Sequence, residues 1–163
     1  DDCEADGSAS EHPGQVCVVM TADCLPVLFT DIDGKRVAAA HAGWRGLAGG
    51  VLEAAVQDFD DPAQVLAWLG PAIGPGAFEV GPEVRRAFLE HDPDSESAFI
   101  SNRPGHWLAD IYALARRRLN ITGVEQVFGG GLCTYTDARR FYSFRRDGAR
   151  SGRIASLIWL QNP

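Results

Sequence analysis

The chain has 163 residues, 45% of them hydrophobic, which is enough to bury one sizeable core, and nothing in it calls for a second domain. Its formal net charge is −7, from 15 Lys plus Arg against 22 Asp plus Glu, so polyphosphate backbones are repelled and nucleic acid is excluded as a main partner. No apolar stretch approaches the length of a membrane-spanning helix, and the opening Asp-Asp-Cys-Glu lacks the basic and apolar succession of a secretory signal.

Residues 1–14 form a polar, turn-rich lead-in to a single domain over 1–163. The apolar, β-branched run at 15–20 reads as a buried strand, and 25–31 as a second. Asp33-Gly34 marks a turn, with 36–40 as the antiparallel return strand. From Leu47 to Phe59 the period changes. Ala48, Val51, Leu52, Ala55, Val56 and Phe59 share one helical face, with Gly49 and Gly50 tolerated for close packing on the sheet. Residues 64–69 return to a strand. The segment 70–82 is a shaped Gly/Pro loop, and 83–91 a short helix with Pro82 at its start. Residues 92–106 read as a surface excursion. Asp110 caps a helix carrying Ile111, Leu114, Ala115 and Leu119. A strand at 124–128 precedes three glycines, and 154–160 is apolar enough for a central strand. The class is α/β, at its boundary with α+β, around a mixed sheet.

Four cysteines, at 3, 17, 24 and 133, show no CxxC and no regular spacing. That pattern argues against a disulfide framework, and a reducing cytoplasm fits best. The segment with most chemistry is HAGWRG at 41–46. Gly43 and Gly46 permit a sharp turn between strand and helix, so that His41, Trp44 and Arg45 can enter one pocket. Helix amides behind them favour an anion, which Arg45 would clamp with its planar fork. The plainer alternative is a structural turn with a packed Trp and a capping Arg.

Cys24 and His41 lie near the ends of strands that can be neighbours. Thiol and imidazole together suit a nucleophile dyad or part of a zinc site; alone, Cys24 suits an inert core thiol and His41 a structural histidine. His12, His91 and His106 have no motif support as a third ligand, and neither Cys17 nor Cys133 is placed for it. Asp23 can orient His41, although its neighbourhood to Cys24 along the chain would point it to the opposite face. Toward the C-terminus, Tyr142, Ser143, Phe144, Arg145 and Arg146 suggest a pocket wall for an anion or a flat ring.

Taken together, TADCLPVLFTD, VAAAHAGWRGL, LGPAIGPGAFEVGPEV and GLCTYTD…FYSFRRDG…GRIASLIWL resemble, in order, the blocks of the YfiH-like family. That family is also described as the laccase-domain, multicopper polyphenol oxidase or peptidoglycan editing factor family. The resemblance covers about Ala5 to Leu160 and implies a three-layer fold, its mixed β-sheet flanked by helices. It also implies a metal site of one cysteine and two histidines, matched here by Cys24 and His41. The family's other histidine lies in a Val-His-Gly block before the segment matched by ADGSAS, so the third ligand is expected upstream of residue 1 and the chain is expected to lack an N-terminal portion. A cysteine often follows the proline of IGPGAF in the family; Gly76 stands there instead.

The activities implied are phosphorolysis of purine nucleosides such as inosine and adenosine, and adenosine deamination. The expected cofactor is zinc, with copper as the alternative; the partners are small-molecule nucleosides and phosphate, on a monomer or a homodimer. In phosphorolysis, Arg45 with Arg145 or Arg146 would hold phosphate, while Trp44 and Ser143 would contact substrate. Two other readings stay open: a metal-free Cys24–His41 hydrolase of small amides or muropeptides, and a copper-dependent polyphenol oxidase. Four scattered histidines cannot build the several clusters that a multicopper oxidase needs.

Overall fold

The computed structural model describes residues 5–161; Cys3 and the first four residues of the lead-in lie outside them. Five strands form the main sheet. They are β1 (Gly7–Ser10), β3 (Leu25–Asp31), β4 (Val37–Ala42), β5 (Val65–Leu69) and β9 (Gln126–Gly129), in the order β1-β4-β3-β5-β9. All pairings are antiparallel except β5 with β9, so the sheet is mixed as expected. Asp33-Gly34 makes the turn between β3 and β4, and Pro26 stands opposite His41.

The sheet is buried on both faces, which explains the unbroken apolar runs of β3 and β4. Leu25, Val27, Phe29, Ala38, Ala40 and Ala42 join the core formed with the helices. Val37, Ala39 and Leu28 face a second, smaller cluster with Cys17, Val19 and Ile158. The latter three come from a two-stranded antiparallel ribbon of β2 (Val16–Thr21) and β10 (Ile154–Trp159). Three layers result, in the order ribbon, sheet and helices.

Several elements depart from the sequence reading. The expected central strand at 154–160 is β10, which pairs only with β2. Its outward residues Leu157 and Trp159 lie across from Val18 and Val16, and all four are exposed. The expected helix over 47–59 is two helices, α1 (Trp44–Gly49) and α2 (Val51–Gln57), separated by Gly50 at φ +95°. Gly50 therefore serves a left-handed break, and Gly49 has open space beside it, so close packing on the sheet is not why they are glycines.

The helix α3 (Pro82–Leu89) begins at its proline as expected. The excursion at 92–106 contains structure, because β6 (Glu79–Val80), β7 (Phe99–Arg103) and β8 (His106–Ala109) make a separate three-stranded sheet. Asp110 caps α4 (Ile111–Ile121) through the amides of Tyr112 and Ala113. A last short helix, α5 (Phe144–Asp147), is capped by Ser143. Arg118 crosses from α4 to the carbonyls of Leu47 and Ala48 and pairs with Glu53, clamping α1 and α2 to the core. That clamp holds the segment after His41 in place.

Candidate functional site

β4 carries His41 to the last rungs of its pairing with β3, opposite Pro26 and close to the turn that presents Cys24. The two side chains converge beside Gly43. A methyl group built on Gly43 would lie 3.1 Å from Cys24 Sγ and 3.7 Å from His41 Nε2. Gly43 itself has φ −61° and ψ 159°, an ordinary extended conformation. The residue is needed for the space beside the thiol, and the sharp turn is not its reason. Soft sulfur and imidazole nitrogen facing one small hollow form a donor set that fits a zinc-type ion. Among the described residues, no cluster of three His, Cys, Asp or Glu groups is arranged to hold a metal. His12 and His91 are exposed elsewhere, and His106 bonds to the carbonyl of Pro104.

Burial, reinforced by the carboxylates of Asp23 and Asp6 and partly offset by Arg153, pushes the Cys24 thiol up from its ordinary value. The surroundings thus disfavour the thiolate.

Asp23 does not touch His41. It is buried, takes φ +85°, and accepts from Thr134 Oγ1 at 2.6 Å, Ser143 Oγ at 3.0 Å and the amide of Arg145 at 2.6 Å. Its carbonyl accepts from the amide of Ile73 at 2.9 Å. One residue thereby ties together the TADC turn, the 70–78 loop through its carbonyl and the 131–147 segment through its carboxylate. The carboxylate beside His41 is Asp6, whose Oδ1 lies 3.3 Å from Nδ1. Sequence reasoning missed Asp6, since 35 residues separate it from His41. Arg153, felt by Cys24, was missed as well.

The remaining candidates divide. Trp44 is half-buried against the core, and the Arg45 guanidinium lies 4.3 Å over its ring, exposed and without a carboxylate partner among the described residues. His41 lines a cavity of about 280 Å³ with Asp6, Ser8, Val18 and Met20, and neither Trp44 nor Arg45 enters it. Of the three residues expected to share one pocket, only His41 lines this cavity. Ser143 is fully buried between Asp23 and the amide of Arg146, so its hydroxyl holds the fold and is closed to substrate. Arg146 is a staple too, donating to the carbonyls of Thr134, Tyr135 and Phe141. Arg145 stays exposed, with one bond to the carbonyl of Glu79.

Nearby, Cys133 accepts from the amide of Gly74 at 3.2 Å. Its burial raises the thiol, but hydrogen bonds from Thr136, Gly74 and Tyr135 outweigh it and leave the value lowered. Tyr112 fastens the same loops, accepting from the amide of Ala72 and donating to the carbonyl of Leu132, and burial pushes its hydroxyl up to about 12.

The family described as multi-copper polyphenol oxidoreductase laccase matches residues 1–161, across every block that builds this site. The chain belongs to that laccase-domain, or YfiH-like, family. It is 60% identical over 160 residues to purine nucleoside phosphorylase PA4543 of Pseudomonas aeruginosa, covering 97% of this chain and 66% of that protein. It is 61% identical over 157 residues to purine nucleoside phosphorylase YfiH of Escherichia coli, covering 96% and 64%. Among solved structures, the Neisseria meningitidis protein NMB0706 superposes with a TM-score of 0.95 at 52% identity, covering 98% of this chain and 66% of that one. YfiH of Bacillus licheniformis superposes at 0.91 with 30% identity, over 96% and 61%. The laccase-domain chain described here thus spans just under two thirds of the length of the curated relatives it matches.

Proposed function

We propose that this laccase-domain chain carries most of the active site of a purine nucleoside phosphorylase that also deaminates adenosine, working in a reducing cytoplasm. The observation that carries the reading is the convergence of Cys24 Sγ and His41 Nε2 on the hollow at Gly43. Relatives named purine nucleoside phosphorylase, at 60% and 61% identity through this region, supply the substrate class.

Cys24 and His41 would hold zinc, with copper as the alternative. A histidine preceding Asp1 would complete the set, in keeping with the greater length of the relatives. When bound, such an ion supplies Lewis-acid polarisation. In phosphorolysis, a phosphate oxygen forms a bond to the sugar C1′ while the bond from C1′ to the base nitrogen breaks, its electron pair leaving with the base. Arg45 is the cation open to phosphate, and Arg145 and Arg153 lend positive charge nearby. A metal-free Cys24 nucleophile needs an acidified thiol, whereas burial and two carboxylates push this one the other way.

The test is an assay of the full-length protein with inosine and adenosine, with and without phosphate, alongside Cys24→Ala and His41→Ala. Phosphate-dependent release of free base is expected, with inosine formed from adenosine as the deamination product. Either substitution should lower both activities at least a hundredfold, about 2.7 kcal/mol in the barrier. Unchanged turnover in both variants would sink the reading. Arg45→Ala should chiefly raise the phosphate KM.

A further inference from the structure

The two ring nitrogens of His41 meet different surroundings. Nε2 faces the Gly43 hollow with Cys24 Sγ, while Nδ1 faces Asp6 Oδ1 at 3.3 Å. A neutral imidazole carries one proton, and whichever nitrogen keeps it cannot also offer a lone pair to a metal. An ionised carboxylate only accepts, so a carboxylate at Nδ1 favours the tautomer protonated there and leaves the Nε2 lone pair aimed at the hollow.

The pairing is built into the sheet. β1 runs antiparallel to β4 with Gly7 opposite Ala40, which brings Asp6 across from His41. The amide of His41 donates to the carbonyl of Asp6 at 2.7 Å, so backbone and side chain fasten the same two residues. Asp23, the other nearby carboxylate, is fully engaged with Thr134, Ser143 and Arg145 and cannot substitute. The Asp6 side chain is 60% exposed and the His41 side chain 35%, so this contact adds little to stability.

We propose that Asp6 is a positioning residue that sets the His41 tautomer and so presents Nε2, with Cys24 Sγ, to a bound metal ion. This rests on the reading of Cys24 and His41 as metal ligands. Asp6 touches neither substrate nor ion; it acts through the ring.

Long-range nitrogen–proton NMR on metal-free protein, with His41 neutral and its signals identified by their loss in His41→Gln, reads the tautomer directly. The wild type should show the proton mainly on Nδ1, and Asp6→Ala should show it mainly on Nε2. Asp6→Asn, whose amide oxygen can still accept, should stay closer to the wild type. In the full-length protein, Asp6→Ala should weaken zinc binding about tenfold with an unchanged melting temperature. A wild-type ring protonated mainly on Nε2, or an Asp6→Ala ring unchanged from wild type, overturns the proposal. Should the wild type take up no zinc at all, the metal reading falls and this proposal with it. Zinc binding that Asp6→Ala leaves untouched, in tautomer and affinity alike, removes the Asp6 proposal alone.

Discussion

At the scale of single residues, the site depends on side chains whose neighbours in space are remote in sequence. Asp23 is the clearest case, because the TADC turn reads as a place for Cys24 chemistry, yet the aspartate before it does the joining. Its backbone is left-handed, a conformation that Asp and Asn tolerate better than bulkier residues. Replacing it with Ala strands two buried hydroxyls and a half-buried amide at once. Hydrogen bonds to charged groups are worth roughly 1.5–3 kcal/mol each, so Asp23→Ala should lose about 3 kcal/mol or more. Asp23→Asn should lose less, since one oxygen still accepts and the backbone still suits. Urea unfolding of both variants measures the difference; equal midpoints for Asp23→Ala and wild type would contradict the hub. The same remoteness hid the roles of Ser143 and Arg146, whose polar groups look available until their partners are seen.

At the scale of elements, periodicity was a good guide to type and a poor guide to continuity. The six apolar positions between Ala48 and Phe59 do all pack on the main core, where Leu47, Leu52 and Val56 are buried together although Gly50 divides α1 from α2. The break at Gly50 is invisible to a hydrophobic count, since it is a property of one φ angle. Two substitutions separate the glycines. Gly49→Ala meets nothing within 4 Å and removes freedom from the unfolded chain, so it should stabilise by about 0.5–1 kcal/mol. Gly50→Ala places a side chain on a backbone at φ +95° and should destabilise by about 1–2 kcal/mol. Thermal unfolding of the pair should shift in opposite directions. Short strands were the elements missed: β1, β7 and β8 span four or five residues with at most three apolar ones in a row, and the strands they pair with identify them.

On the whole-molecule scale, the ribbon is the element whose place could not be read. An apolar run such as 154–160 suits a central strand, and burial on two sides is what that composition ordinarily means. Here β10 buries one face on the main sheet and leaves Leu157 and Trp159 outward beside Val16, Val18 and Met20. The contiguous apolar face should bind a fluorescent reporter of exposed hydrophobic surface, and Val18→Ser with Trp159→Ser should abolish most of that signal while the fold persists. Unchanged dye binding in the double variant would show that the accessible apolar surface lies elsewhere. The same ribbon borders His41 through Val18 and Met20, so the candidate site opens beside this face.

Periodicity and turn residues were enough to determine the class and the order of most main elements, and the sequence blocks, by their resemblance, the family and the interest of Cys24 with His41. Each rests on local pattern, and local pattern is what a linear chain displays. Tertiary structure alone decided that Gly43 leaves room for thiol and imidazole to share a hollow, that Asp23 belongs to the scaffold, and that Asp6 stands at the ring of His41. The physical reason is common to all three. Hydrogen-bond partners and shared cavities are set by strand register and by the packing of layers, and these bring together residues that no spacing in the sequence connects.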